Sequence, residues 1–88
     1  MASILLAEDD DTLRAFLVRA IERAGHDVTD VDRGTEALPL IASGSFDLLL
    51  TDIVMPEMDG IELAQRAATL APNMQVMFIT GFAAVALN

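Results

Sequence analysis

The chain has 88 residues, enough for one domain with a modest core and little margin. Apolar residues make up 53% of it, which excludes intrinsic disorder, and the lack of cysteine excludes a disulfide framework, a thiolate metal site and a cysteine nucleophile. The net charge of −9, with five arginines (Arg14, Arg19, Arg23, Arg33 and Arg66) and no lysine, argues against a nucleic-acid partner bound through its phosphates.

No apolar run is long enough to cross a bilayer, and residues 1–3 lead into a strand pattern without a basic leader. A cytoplasmic protein with no membrane partner is therefore expected. In chain order, residues 3–7 (Ser-Ile-Leu-Leu-Ala) read as a buried strand ending on Glu8, Asp9, Asp10 and Asp11. Asp10 or Asp11 can cap the helix that follows, whose apolar members Leu13, Phe16, Leu17, Ala20, Ile21 and Ala24 recur at helical spacing up to a stop at Gly25. Residues 26–31 make a short second strand with Val28 and Val31 inward. A second helix opens at Gly34 and runs to about Ser43, with Pro39 expected to kink or shorten it.

The third strand, Phe46 to Asp52, is a short apolar run closed by a carboxylate and followed by a turn with Pro56 and Gly60. A third helix starts at Gly60, with Ile61, Ala64, Ala67, Ala68 and Ala71 expected on the sheet, and Pro72-Asn73 ends it. Residues 74–80 form a fourth strand ending on Thr80, and 82–87 read as the start of a fourth helix. Strand and helix alternate throughout, which predicts an α/β fold with a doubly wound parallel sheet.

Three strands thus end in polar groups: Glu8-Asp9, Asp52 and Thr80. Parallel strands put these ends on one edge, with neighbours roughly 4.8 Å apart, so Glu8, Asp9 and Asp52 converge if the first and third strands are adjacent. Taken alone, a strand-end Asp is more often only the start of a loop. Carboxylates this close repel unless a proton or a cation intervenes, and an all-oxygen set selects a hard ion such as Mg²⁺. Such a site suits phosphoryl transfer to a carboxylate. The GxxxxGK[ST] and GxGxxG loops are missing, Val54 stands where a DxD phosphatase would need an acid, and the single histidine, His26, lies in a helix-to-strand turn.

Residues 4–10 (Ile-Leu-Leu-Ala-Glu-Asp-Asp), 49–60 (Leu-Leu-Thr-Asp-Ile-Val-Met-Pro-Glu-Met-Asp-Gly) and 78–81 (Phe-Ile-Thr-Gly) resemble the response-regulator receiver family in order and spacing. The resemblance implies a flavodoxin-like sheet in the order 2-1-3-4 and a phosphoacceptor at Asp52, served by a sensor histidine kinase or a histidine phosphotransfer protein. It also implies Mg²⁺ on Asp9, Asp52 and the Val54 carbonyl, with Glu8 acting through water. Thr80 would bond the phosphoryl group and report the switch, and Pro56 and Gly60 would shape the loop. A receiver is no classical enzyme; it modifies itself and loses the group slowly. Residues 7–10 and 77–88 resemble the CpdR-like single-domain regulators, which implies adaptor control of a ClpXP-type protease, with Phe82, Val85 and Leu87 as a possible interaction face.

The family pattern continues into a fifth strand bearing a lysine and a fifth helix, roughly 30 residues on mean element lengths. The expectation is a receiver domain over 1–88, truncated after the start of its fourth helix, with the fourth strand left as an open edge that dimerises or domain-swaps. The alternative reading is a non-switching interaction module, or dimerising fragment, whose acidic site is vestigial.

Overall fold

The computed structural model describes residues 1–80 and 83–87, with Thr80 and 83–87 described as backbone only. Eight elements follow one another: β1 (Ser3–Ala7), α1 (Asp11–Arg23), β2 (Asp27–Val31), α2 (Gly34–Ser43), β3 (Leu48–Asp52), α3 (Gly60–Leu70), β4 (Gln75–Thr80) and β5 (Ala83–Leu87). The sheet order is β2-β1-β3-β4-β5. The first four strands are parallel in the expected order 2-1-3-4, because each strand-helix-strand unit crosses over right-handed and the chain reverses direction after β2.

That reversal puts α1 on one face and α2 with α3 on the other. The main core lies on the second face, where Leu5, Ala7 and Leu49 meet Ala37 and Ile41 of α2 and Leu63 and Ala67 of α3. The alternate positions Ile4 and Leu6 are also buried, so the central strands read as continuous apolar runs. Local chemistry starts and stops the helices as the residue types dictate. Asp10 caps α1 by accepting from the Leu13 N–H, and Asp59 caps α3 by accepting from the Glu62 N–H. At the end of α1, Gly25 takes φ +90°, and the Gly25 and His26 N–H groups donate to the Glu22 and Ile21 carbonyls. Pro39 sits inside α2, which nevertheless continues to Ser43.

Three expectations are corrected. The fourth helix expected from residue 82 is not formed by Ala83–Leu87, which make a strand paired antiparallel with β4, from Thr80 against Ala83 to Val76 against Leu87. Phe82 lies outside the described residues, as do the side chains of Val85 and Leu87. The outer edge of β4 offers a row of unpaired backbone groups, and Ala83–Leu87 pair with it. The open β4 edge is therefore covered. The helix faces also differ in detail. No residue of α1 is buried and Phe16 is 64% exposed, while α3 buries Leu63 and Ala67 and leaves Ile61 and Ala68 outward.

Leu49 carries the central contact between β3 and the two-helix layer. Leu49→Ala should cost about 2–5 kcal/mol, read as a lower urea midpoint with an unchanged slope.

Candidate functional site

β1 and β3 are neighbours, with Ala7 opposite Thr51, so Glu8 and Asp52 leave adjacent strands side by side. Glu8, Asp9 and Asp52 each present a carboxylate oxygen, and these oxygens lie within 4.8 Å of one another. The expected convergence is thus present. The three differ in exposure: Glu8 is 1% exposed, Asp52 is half-buried and Asp9 faces water. Glu8 Oε2 accepts from the Asp10 N–H at 3.0 Å, while its buried Oε1 has no hydrogen-bond partner. Asp52 Oδ1 accepts from the Ile53 N–H at 2.8 Å.

Burial raises Glu8 from an ordinary 4.5 to about 7; the charges of Asp52 and Asp9 push the same way, against the pull of the Asp10 N–H. An all-oxygen cluster with one buried, unpartnered oxygen is the donor set a small hard cation needs.

The remaining expected residues lie at the end of β4 and in the loop that follows Asp52. Thr80 closes β4 one residue beyond Ile79, the register partner of Asp52; its side chain lies outside the described residues. Val54 is 78% exposed in the loop between β3 and α3. In the same loop the Pro56 carbonyl accepts from the Met58 N–H at 2.9 Å, and the buried Met55 and Met58 anchor it in the core. Glu57 takes a left-handed φ of 69° and lies 3.7 Å from Arg33. The Gly60 N–H donates to the Ile53 carbonyl at 2.7 Å, and a Cβ at Gly60 would collide with the Asp52 carbonyl oxygen. This close approach is why the turn requires glycine.

Two contributors had no role in the sequence reading. Asp59 caps α3 and so fixes the far end of the loop. Arg14 reaches back from α1 to the Glu8 backbone carbonyl at 2.9 Å. Its three-residue spacing from Asp11 was the available signal, since that places the two on one helix face.

A family model described as the response regulator receiver domain matches residues 4–87. The chain belongs to the response regulator receiver family. It is 61% identical over 88 residues to the "response regulator receiver protein CpdR" of Brucella abortus (strain 2308), covering all of this chain and 73% of that one. Among solved structures, the response regulator TrrA from Thermotoga maritima in complex with Mg²⁺-BeF matches with a TM-score of 0.88 at 28% identity, over 94% of this chain and 72% of that one. A structure of the histidine kinase ThkA in complex with TrrA matches with a TM-score of 0.86, also at 28% identity and with the same coverages. The receiver is a signalling module of two-component systems, and among its described residues no helix is long and apolar enough to cross a membrane.

Two predictions follow from this geometry. Between pH 4.5 and about 7 the folded protein keeps a proton on Glu8 that the unfolded chain has released, so this group makes stability fall as pH rises through that window. In metal-free buffer, Glu8→Gln should remove that fall, so thermal melts of the variant and the parent should diverge progressively toward pH 7. Gly60→Ala should cost about 1–3 kcal/mol, measured by urea unfolding, because the loop must move off the Asp52 carbonyl.

Proposed function

We propose that this receiver accepts a phosphoryl group on Asp52 in a Mg²⁺-dependent reaction, donated by the phosphohistidine of a sensor kinase or phosphotransfer protein. The observation that supports it best is the cluster itself: carboxylates from two adjacent strand ends, within 4.8 Å, with one buried oxygen lacking a partner. Asp9, Asp52 and the Val54 carbonyl would hold the ion directly, and Glu8 through water. When bound, Mg²⁺ supplies charge that offsets the phosphoryl oxygens.

In the reaction, an Asp52 carboxylate oxygen forms a bond to phosphorus as the phosphorus–nitrogen bond of the donor breaks. The leaving imidazole takes up a proton, and Asp52 becomes an acyl phosphate. The Ile53 N–H holds Asp52 Oδ1 and so fixes the orientation of the attacking carboxylate. Pro56 and Gly60 keep the loop clear of it, and Thr80 donates its hydroxyl to the phosphoryl group.

Output runs through protein–protein contact. The likeness to CpdR favours cytoplasmic adaptor control of a ClpXP-type protease, with the segment containing Phe82, Val85 and Leu87 as the docking region.

The chain has no tryptophan or tyrosine, so the test reads amide chemical shifts rather than intrinsic fluorescence. Adding beryllofluoride with Mg²⁺ should shift amides around residues 8–10, 52–54 and 80, and Asp52→Ala should abolish the shifts. Acetyl phosphate should add one phosphoryl group by intact mass to the parent and none to Asp52→Ala. A parent protein that responds to neither reagent is an interaction module with a vestigial acidic site.

A further inference from the structure

Arg14 makes three separate bonds from one guanidinium. Nη1 donates to the Glu8 backbone carbonyl at 2.9 Å, Nε to Asp30 Oδ2 at 3.1 Å and Nη2 to Asp11 Oδ1 at 2.7 Å. Its partners belong to three elements: the end of β2, the first turn of α1 and the junction that carries two of the clustered carboxylates. The side chain is 19% exposed, so the fork lies against the protein rather than waving in solvent.

The Glu8 N–H donates to the Val31 carbonyl at 3.1 Å, so with Arg14 on its carbonyl both polar groups of the Glu8 backbone are held. The next turn is fixed as well, because the Arg14 N–H donates to the Asp10 carbonyl at 2.8 Å while Asp10 caps the helix. Glu8 and Asp9 therefore extend from a backbone clamped at one end by β2 and at the other by Arg14.

We infer that Arg14 is a positioning residue for the cation site, holding the Glu8–Asp9 junction in the geometry that lets these carboxylates meet Asp52. The inference rests on the Mg²⁺ reading of the cluster. It makes a prediction of opposite sign to simple electrostatics. Removing a positive charge near a cation site should tighten cation binding, because like charges repel. Removing a group that orients metal-holding carboxylates should weaken it, as losses of such supporting partners do. An arginine is also suited to the task in a way lysine is not, since its planar fork serves three fixed acceptors at once.

The experiment is Mg²⁺ titration of the full 88-residue chain by calorimetry, alongside thermal melts, for the parent, Arg14→Met, Arg14→Lys and Asp30→Asn. Arg14→Met should bind Mg²⁺ about tenfold or more weakly. Arg14→Lys, which keeps the charge but gathers its donors on one nitrogen and loses the planar fork, should fall between Met and the parent. Asp30→Asn loses a partner of the fork but not the Glu8 bond, and should lose melting temperature with Mg²⁺ affinity near the parent's.

Equal or tighter binding by Arg14→Met overturns the inference, as does a fall in melting temperature with no change in affinity. If circular dichroism shows Arg14→Met to be unfolded, Arg14→Lys decides: weaker binding than the parent supports the role and equal binding overturns it. A parent chain that binds no Mg²⁺ overturns the proposed function itself, which separates the two failures.

Discussion

Glu8, Asp9 and Asp52 repel one another, and the fold has to hold them together against that repulsion. Two unit charges 4.8 Å apart cost about 3.5 kcal/mol at an effective dielectric of about 20. That is a sizeable part of the roughly 5–15 kcal/mol by which a domain is stable. The protein meets the cost in two ways: Glu8 retains its proton toward neutral pH, and the backbone on either side of each acid is tied down. The parallel pairing of β1 with β3 is what sets the separation. Everything else in the edge, from the Asp10 cap to the Gly60 turn, serves to keep those two strand ends level.

The same constraint explains the division of labour between the two faces of the sheet. The face under α2 and α3 is closely filled, and it carries the loop that follows Asp52 through Met55 and Met58. The face under α1 is covered by one helix with no buried residue, so Leu50, Met77 and Ile79 stay half-buried there. Close packing is concentrated beneath the loop that follows Asp52. The lighter packing falls on the side that contributes backbone clamps rather than core volume.

Much of this is legible in the sequence. The short apolar runs ending on Glu8-Asp9 and Asp52 are too brief for helices, and their alternation with helical spacing leaves few topologies once crossover handedness is applied. The convergence of Glu8, Asp9 and Asp52 followed from residue order once the first and third strands were taken as neighbours, the order that the family resemblance implied. Three things did not. The segment at 82–87 carries an apolar pattern that suits helix and strand alike, and the edge of β4 decided between them, which is a tertiary effect with no local signature. Phe16 has helical spacing, yet its exposure depends on what lies beyond α1. Arg14 was visible only as a helix-surface charge, because its partner on the Glu8 carbonyl is a backbone atom and every residue has one.

The floor of the loop after Asp52 is made of sulfur. Met55 and Met58 are both buried, and the Thr51 hydroxyl lies 4.0 Å from the Met55 Sδ. A thioether fills an irregular gap well, but oxidation to the sulfoxide makes it polar, chiral and larger. These atoms are shielded by the core they pack into, where Met58 lies against Gly34 of α2, so excursions that lift the loop off that core also open them to peroxide. An oxidised methionine could not settle back into an apolar bed without displacing the backbone beside Asp52. Oxidative damage would therefore accumulate in proportion to how often the loop opens, and it would reach the acidic edge from beneath.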